Sequence, residues 1–103
     1  MTEKIQASIS TRANVYFGGK CVSHSVELPD GTKKSVGVVL PATLTFNTAA
    51  PERMELVDGE CRVRLAGSDD WTDYRGGQSF DVPADSSFDI EVTKDLHYIC
   101  HYG

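Results

Sequence analysis

From residue 14 onward the chain repeats one local pattern: a few residues in which apolar and polar side chains alternate, then a break at Asp-Gly, Gly-Gly or Pro. Strict alternation sets successive side chains on opposite faces of an extended backbone, whereas a packing helix needs apolar residues three and four apart over ten or more positions. No stretch of this sequence sustains the helical period for that length. Strands are read at residues 20–28, 33–40, 43–48, 54–57, 60–65, 71–75, 78–82, 88–92 and 96–102. Asp30-Gly31, Asp58-Gly59 and Gly76-Gly77 are read as turns, because tight hairpins need the positive φ that such pairs supply. Short strands at this regular spacing predict an all-β sandwich or barrel. Residues 1–13 carry no sustained period and are expected to form a flexible N-terminal arm, leaving 14–103 as one domain.

With 103 residues, 40% of them apolar, the chain can build one core and not two. A net charge of −5 and the lack of any lysine- and arginine-rich stripe argue against nucleic acid as a partner, since phosphate backbones demand a basic face. The longest apolar runs span a few residues against the roughly 20 that cross a bilayer, so no membrane partner is expected. The opening residues do not resemble a signal peptide, which gives a cytoplasmic expectation. Cys21, Cys61 and Cys100 are odd in number and include no C-x-x-C pair, which suits buried reduced thiols better than a disulfide framework or a zinc site. Gly18-Gly19-Lys20 lacks the Walker spacing and any following helix, so it reads as a turn.

Two spacings sharpen the fold. Glu52 is followed seven positions later by Gly59, and Gly77 six positions later by Pro83. This E-x6-G and G-x5-P skeleton resembles the scaffold half of the two sequence motifs of cupins, small barrels of the jelly-roll type. The resemblance implies a single all-β cupin barrel. In metal-binding cupins two histidines precede the glutamate and a third follows the proline; the matching places here hold Phe46 and Thr48 (or Thr45 and Asn47) and Phe88. His97 and His101 lie four apart on a strand, about 13 Å, too far to share one ion. Glu52 alone is a poor site for a divalent cation, so no metal is expected.

Under that alignment the barrel interior carries Phe46, Thr48, Glu52, Met54 and Phe88, with Tyr98 and Tyr102 nearby on the last strand. Rings, one carboxyl group and several hydroxyls describe a pocket that stacks a flat organic group and hydrogen-bonds a polar one. The same rings and methionine describe an ordinary core equally well. Arg62 and Arg64 share an outer face of their strand, while Lys33, Lys34 and Arg53 fall at strand or corner ends, from which they can reach over a barrel mouth.

Taken in order, Val15-Tyr16-Phe17-Gly18-Gly19-Lys20, the segment from Ser35 to Pro41, the segment from Thr45 to Met54, the stretch from Gly76 to Pro83, and Tyr98-Ile99-Cys100-His101-Tyr102 resemble the pyrimidine/purine nucleoside phosphorylase family of small bacterial cupins. The resemblance implies a metal-independent homodimeric enzyme that splits many nucleosides to a free base and pentose 1-phosphate. It would use inorganic phosphate as co-substrate and no cofactor. By barrel position Phe46 and Phe88, with Tyr98 or Tyr102, are expected to stack the base, and Thr48 and Met54 to line the same faces. Glu52 is expected to hold ribose hydroxyls or stabilise developing positive charge, and Lys33, Ser35 and Arg53 to bind phosphate. The family typically ends Cys-Arg-Tyr-Leu where this chain reads Cys100-His101-Tyr102-Gly103, which makes His101 a pH-dependent stand-in for an arginine. Cupin folds host many functions, so a non-catalytic small-molecule-binding barrel is the alternative reading. A metal-dependent cupin with an unconventional ligand set is a third.

Overall fold

Alternation delivers strands almost everywhere it occurs. The computed structural model describes residues 4–102 and contains nine strands: β1 (Ser8–Ile9), β2 (Asn14–Tyr16), β3 (Cys21–Glu27), β4 (Lys33–Val39), β5 (Ala42–Asn47), β6 (Glu52–Leu65), β7 (Thr72–Arg75), β8 (Ser79–Val82) and β9 (Ser87–Tyr102). Phe17–Gly19 forms one 3-10 turn after β2. All described pairings are antiparallel. The ladder runs β1-β3-β4-β9-β6-β7, with β2 on β3, β5 on β9 and β8 on β6.

Two strands organise this all-β fold. The first part of β9 pairs with β5 and its second part with β4, while β6 meets β8 along its first residues and β7 along its later ones. Each long strand therefore belongs to two leaves, and the core of Leu56, Leu96, Ile90, Val39, Val82 and Phe88 fills the space between them. Burial of these side chains, each worth about 1.5–3 kcal/mol relative to exposure, is what holds the leaves together.

The long strands revise the sequence reading. Residues 54–57 and 60–65 were expected as separate strands about an Asp58-Gly59 hairpin, and 88–92 and 96–102 as two more; each pair is one continuous strand. The register against β9 shifts between Leu56 and Cys61, so Asp58-Gly59 makes a bulge that bends β6 from one leaf to the other. A bulge and a hairpin use the same chemistry here. Gly59 has φ +109°, Asp58 Oδ1 accepts its N–H at 2.9 Å, and a Cβ at this position would be driven into the Asp95 carbonyl. The N-terminal segment also differs from an unpaired arm: Ser8 and Ile9 pair with Glu27 and Val26 of β3, whereas residues 1–3 of that expected arm lie outside the described residues.

On the outer surface of the second leaf Arg62 pairs with Glu91 and Arg64 with Asp89, and both guanidinium groups stack on Trp71 at 4.6 and 4.8 Å from its ring centre. Among the described residues no helix is long and apolar enough to cross a membrane.

Candidate active site

Across β3, β4 and the end of β9 the alternation runs with its phase inverted. In β3 the apolar Val26 lies on the outer surface while Ser23 faces the interior; in β4 Val36 lies outside and Ser35 inside. Apolar side chains normally take the inner face. Here the inner face is polar, and it encloses a cavity of about 170 Å³ between the leaves.

The register arranges this polar face as rows. Asn14, Ser23, Gly37 and Tyr98 lie side by side across β2, β3, β4 and β9; the next row is Ser25, Ser35, Cys100 and Met54; the last places Tyr102 beside Glu52. Tyr98 starts on β9, yet its hydroxyl is 3.5 Å from Cys21 Sγ on β3, so its ring crosses β4 at Gly37. A Cβ on Gly37 would stand 2.8 Å from that of Ser23 and close this path.

Hydrogen bonds join the rows. Ser35 Oγ and Tyr102 OH are 2.9 Å apart, Asn14 Nδ2 donates to Ser23 Oγ at 3.4 Å and to Ser25 Oγ at 3.3 Å, and Cys100 Sγ donates to Glu52 Oε1 at 3.5 Å. Burial pushes the Tyr102 hydroxyl up to about 12, partly offset by Ser35, and it pushes the Cys100 thiol to about 12 with help from the Glu52 charge. Burial also raises Tyr98 and Cys21. These groups are therefore neutral hydrogen-bonding groups at physiological pH. Glu52 is the carboxyl group of the cavity, and desolvation raises its pKa above the ordinary glutamate value despite the Cys100 thiol.

The opposite wall is aromatic. Phe46 and Phe88 face each other in register and stack with centroids 5.5 Å apart; Phe17 caps Phe46 edge-on at 5.2 Å, and Phe80 meets Phe88 edge-on at 5.6 Å. Phe88 is buried and belongs to the core, while Phe46 is only partly covered. Phe17 itself has φ +52°, a sterically costly conformation that brings its ring over Phe46.

Seven of the residues singled out from sequence meet in this cavity: Ser35, Phe46, Glu52, Met54, Phe88, Tyr98 and Tyr102. Thr48 does not line it; its hydroxyl donates to the Pro83 carbonyl at 2.7 Å and accepts from Ser86 N–H at 3.0 Å, tying two corners together. Arg53 and His101 alternate with Glu52 and Tyr102 and so point outward. There Arg53 pairs with Asp81 at 3.0 Å and His101 with Glu55 at 2.9 Å. They border an outer depression that meets the cavity at Glu52 and Tyr102. Lys33 borders a different groove, which meets the cavity at Tyr102.

Sequence reasoning missed Tyr16 and Ser23, which line the cavity, and Asn14 and Ser25, which hydrogen-bond beside it. The available signal was the serine spacing in β3, a small hydroxyl at every second position. The three cysteines are buried and unbridged. Among the described residues no three His, Cys, Asp or Glu side chains are grouped as metal ligands.

Comparison with known proteins places this geometry. A protein from Leptothrix cholodnii named pyrimidine/purine nucleoside phosphorylase is 65% identical over the full length of both chains, and one of the same name from Nocardia farcinica is 63% identical, again over both full lengths. The crystal structure of a protein of unknown function from Acinetobacter sp. ADP1 superposes with a TM-score of 0.92 at 50% identity, covering 94% of each chain. The family model described as pyrimidine/purine nucleoside phosphorylase matches residues 11–102, so nearly the whole fold, both cavity walls included, lies within the match. The chain belongs to the pyrimidine/purine nucleoside phosphorylase family.

Proposed function

We propose that this chain is a metal-independent pentosyltransferase that phosphorolyses both purine and pyrimidine nucleosides in the cytoplasm. The observation that carries this reading is a single cavity with a ring wall facing a hydroxyl wall, in a chain of this family. A base of any kind offers a π-face to Phe46 and Phe88, so stacking holds purines and pyrimidines alike. The pentose and phosphate are common to every substrate and meet fixed donors on the hydroxyl wall. At about 170 Å³ the cavity is smaller than sites that enclose a whole drug-sized ligand, so it takes one moiety fully and leaves the rest at the mouth.

The reaction breaks the C1′–N bond and forms a C1′–O bond to phosphate, passing through an oxocarbenium-like state. The proton of hydrogen phosphate ends on the departing base. Glu52, whose carboxyl pKa is raised by desolvation, is the group that gives a proton to the base as the C–N bond stretches, and the carboxylate left behind faces the developing positive charge. Hydrogen phosphate releases its proton as it attacks and Glu52 regains one from solvent, so the exchange balances. No step calls for a metal or a cofactor. The test is incubation of purified protein with uridine, adenosine and inosine, with and without phosphate. Phosphate-dependent release of base and pentose 1-phosphate is expected; no such release from any of the three contradicts the reading, and binding without turnover would favour the non-catalytic barrel.

The homodimer belongs to the same proposal. The outer surface of the first leaf holds an apolar groove whose borders include Ile5, Ile9, Val26, Val57 and Ile99, of which Ile5, Ile9 and Val57 are exposed. Asp58 and His97 also border it, so a two-fold axis through the groove can set the carboxylate of one copy to accept a hydrogen bond from the imidazole of the other. Sedimentation equilibrium should give twice the chain mass, and a monomer at micromolar concentration contradicts it.

A further inference from the structure

We propose that the hydroxyl wall extends beyond the cavity onto β2 and β3, where Asn14, Ser23 and Ser25, together with Lys33 of β4, form an oxyanion subsite that takes inorganic phosphate. The inference rests on the phosphorolysis reading above and adds to it the side chains that seat the nucleophile.

The donor inventory comes first. Asn14 spends its amide on two acceptors at once, Ser23 Oγ and Ser25 Oγ. A serine oxygen that accepts from an amide is left with its own proton to donate elsewhere. Ser23 is buried, with 4% of its surface exposed, and lines the cavity with Tyr98. Ser25 is exposed at the rim, and among the described residues its hydroxyl has no acceptor. Beside it in register stands Ser35, bonded to Tyr102. The result is a small patch of neutral hydrogen-bonding groups in which the exposed Ser25 hydroxyl is left to donate.

Charge selects the ligand. No Lys, Arg or His lines the cavity itself. Of the cations near its mouth, Arg53 and His101 each have a carboxylate within hydrogen-bonding distance. Lys33 forms no ion pair among the described residues, although Glu27 stands opposite it in register. Lys33, Lys34, Ser25 and Tyr102 border one groove of about 650 Å³, which meets the cavity at Tyr102. An available ammonium group with hydroxyl donors around it suits a phosphate oxyanion better than a sugar, whose hydroxyls need acceptors as well.

Distance fits the reaction. Continuing the β4–β9 register by one residue sets Lys33 beside Tyr102, which is beside Glu52. Two strand spacings therefore separate Lys33 from Glu52, about 10 Å. That span leaves room for C1′ between phosphate at one end and the base departing toward Glu52 at the other.

The experiment is steady-state kinetics with uridine, combined with calorimetric titration of inorganic phosphate in the absence of nucleoside, on the wild type, Ser25→Ala and Asn14→Asp. Loss of a hydrogen bond to a charged ligand predicts a phosphate KM raised about 10-fold in Ser25→Ala, and a carboxylate in place of the amide predicts a rise of about 100-fold in Asn14→Asp. The uridine KM should stay within about 2-fold, the calorimetric phosphate affinity should fall in parallel, and thermal melting should verify that both variants fold. A shift in the uridine KM alone would assign the patch to sugar hydroxyls and overturn the proposal. Unchanged phosphate affinity in both variants would overturn it too, as would failure of the wild type to bind phosphate. If the wild type binds phosphate at this patch yet cleaves no nucleoside, the phosphorylase reading fails and the oxyanion subsite stands.

Discussion

One strand, β9, builds both walls of the cavity: Phe88 and Ile90 near its start lie on the aromatic side, and Tyr98, Cys100 and Tyr102 near its end lie on the hydroxyl side. The two ends differ because their neighbours differ. Phe88 pairs with Phe46 of β5, a ring against a ring, whereas Cys100 pairs with Ser35 of β4 and Tyr98 with Gly37. The aromatic wall offers stacking, which every base satisfies; the hydroxyl wall offers directed bonds, which suit groups common to all nucleosides. On the proposed reading, breadth of substrate and precision of chemistry fall to different walls of one small space.

The sharpest way to break this division is at its single acid. Glu52→Gln should lower kcat by about 100-fold or more for uridine and adenosine alike, with nucleoside KM little changed, because it removes a proton donor common to both reactions. A loss confined to one base would place Glu52 with the variable wall. The same residue carries a pH signature. Its folded pKa lies above the ordinary glutamate value, so its contribution to stability is complete below that ordinary value and disappears as pH rises through the raised one. The Gln variant should therefore melt above wild type at pH 8 and level with it near pH 4, as scanning calorimetry would reveal, while wild-type kcat declines as pH rises through the same titration.

The ring wall comes next in size. Phe46→Ala should raise nucleoside KM about 10-fold for uridine and adenosine equally and leave phosphate KM alone, since base stacking is worth about 1–3 kcal/mol and is indifferent to the base edge. Phe88→Ala, at a side chain 2% exposed, should cost about 3–5 kcal/mol of stability, read from urea unfolding, before any effect on binding can be assigned. A Phe46 variant that discriminated strongly between the two bases would show that the ring wall reads identity.

The smallest effects belong to the outward side chains. Arg53→Ala and His101→Ala should change kcat/KM for uridine by less than about 3-fold and stability by less than about 1 kcal/mol, because exposed ion pairs contribute little. A larger loss at His101 would return phosphate to the outer depression and weaken the claim that the hydroxyl wall seats it.

Much of this was legible in the sequence because alternation fixes parity along a strand. Once Glu52 is assigned inward, Met54 follows it and Arg53 cannot, and likewise Tyr98 and Tyr102 exclude His101. What parity cannot give is phase. In β3 hydrophobicity alone points Val22 and Val26 to the core, yet the folded strand turns Ser23 to the cavity and leaves Ser25 exposed beside it. Nor does an Asp-Gly pair announce whether it closes a hairpin or bends a strand, since both use the positive φ of Gly59. That choice was decided by β9, a neighbour distant in sequence, with which β6 pairs on both sides of the bulge.

The most direct measurement is a crystal structure of the protein with uracil and ribose 1-phosphate bound together. The account predicts the pyrimidine ring stacked against Phe46 and the phosphate oxygens within about 3 Å of Ser25 and Ser35, with the sugar between them beneath Tyr102. Phosphate bound outside at Arg53 and His101, or a base held away from both phenylalanines, would contradict it.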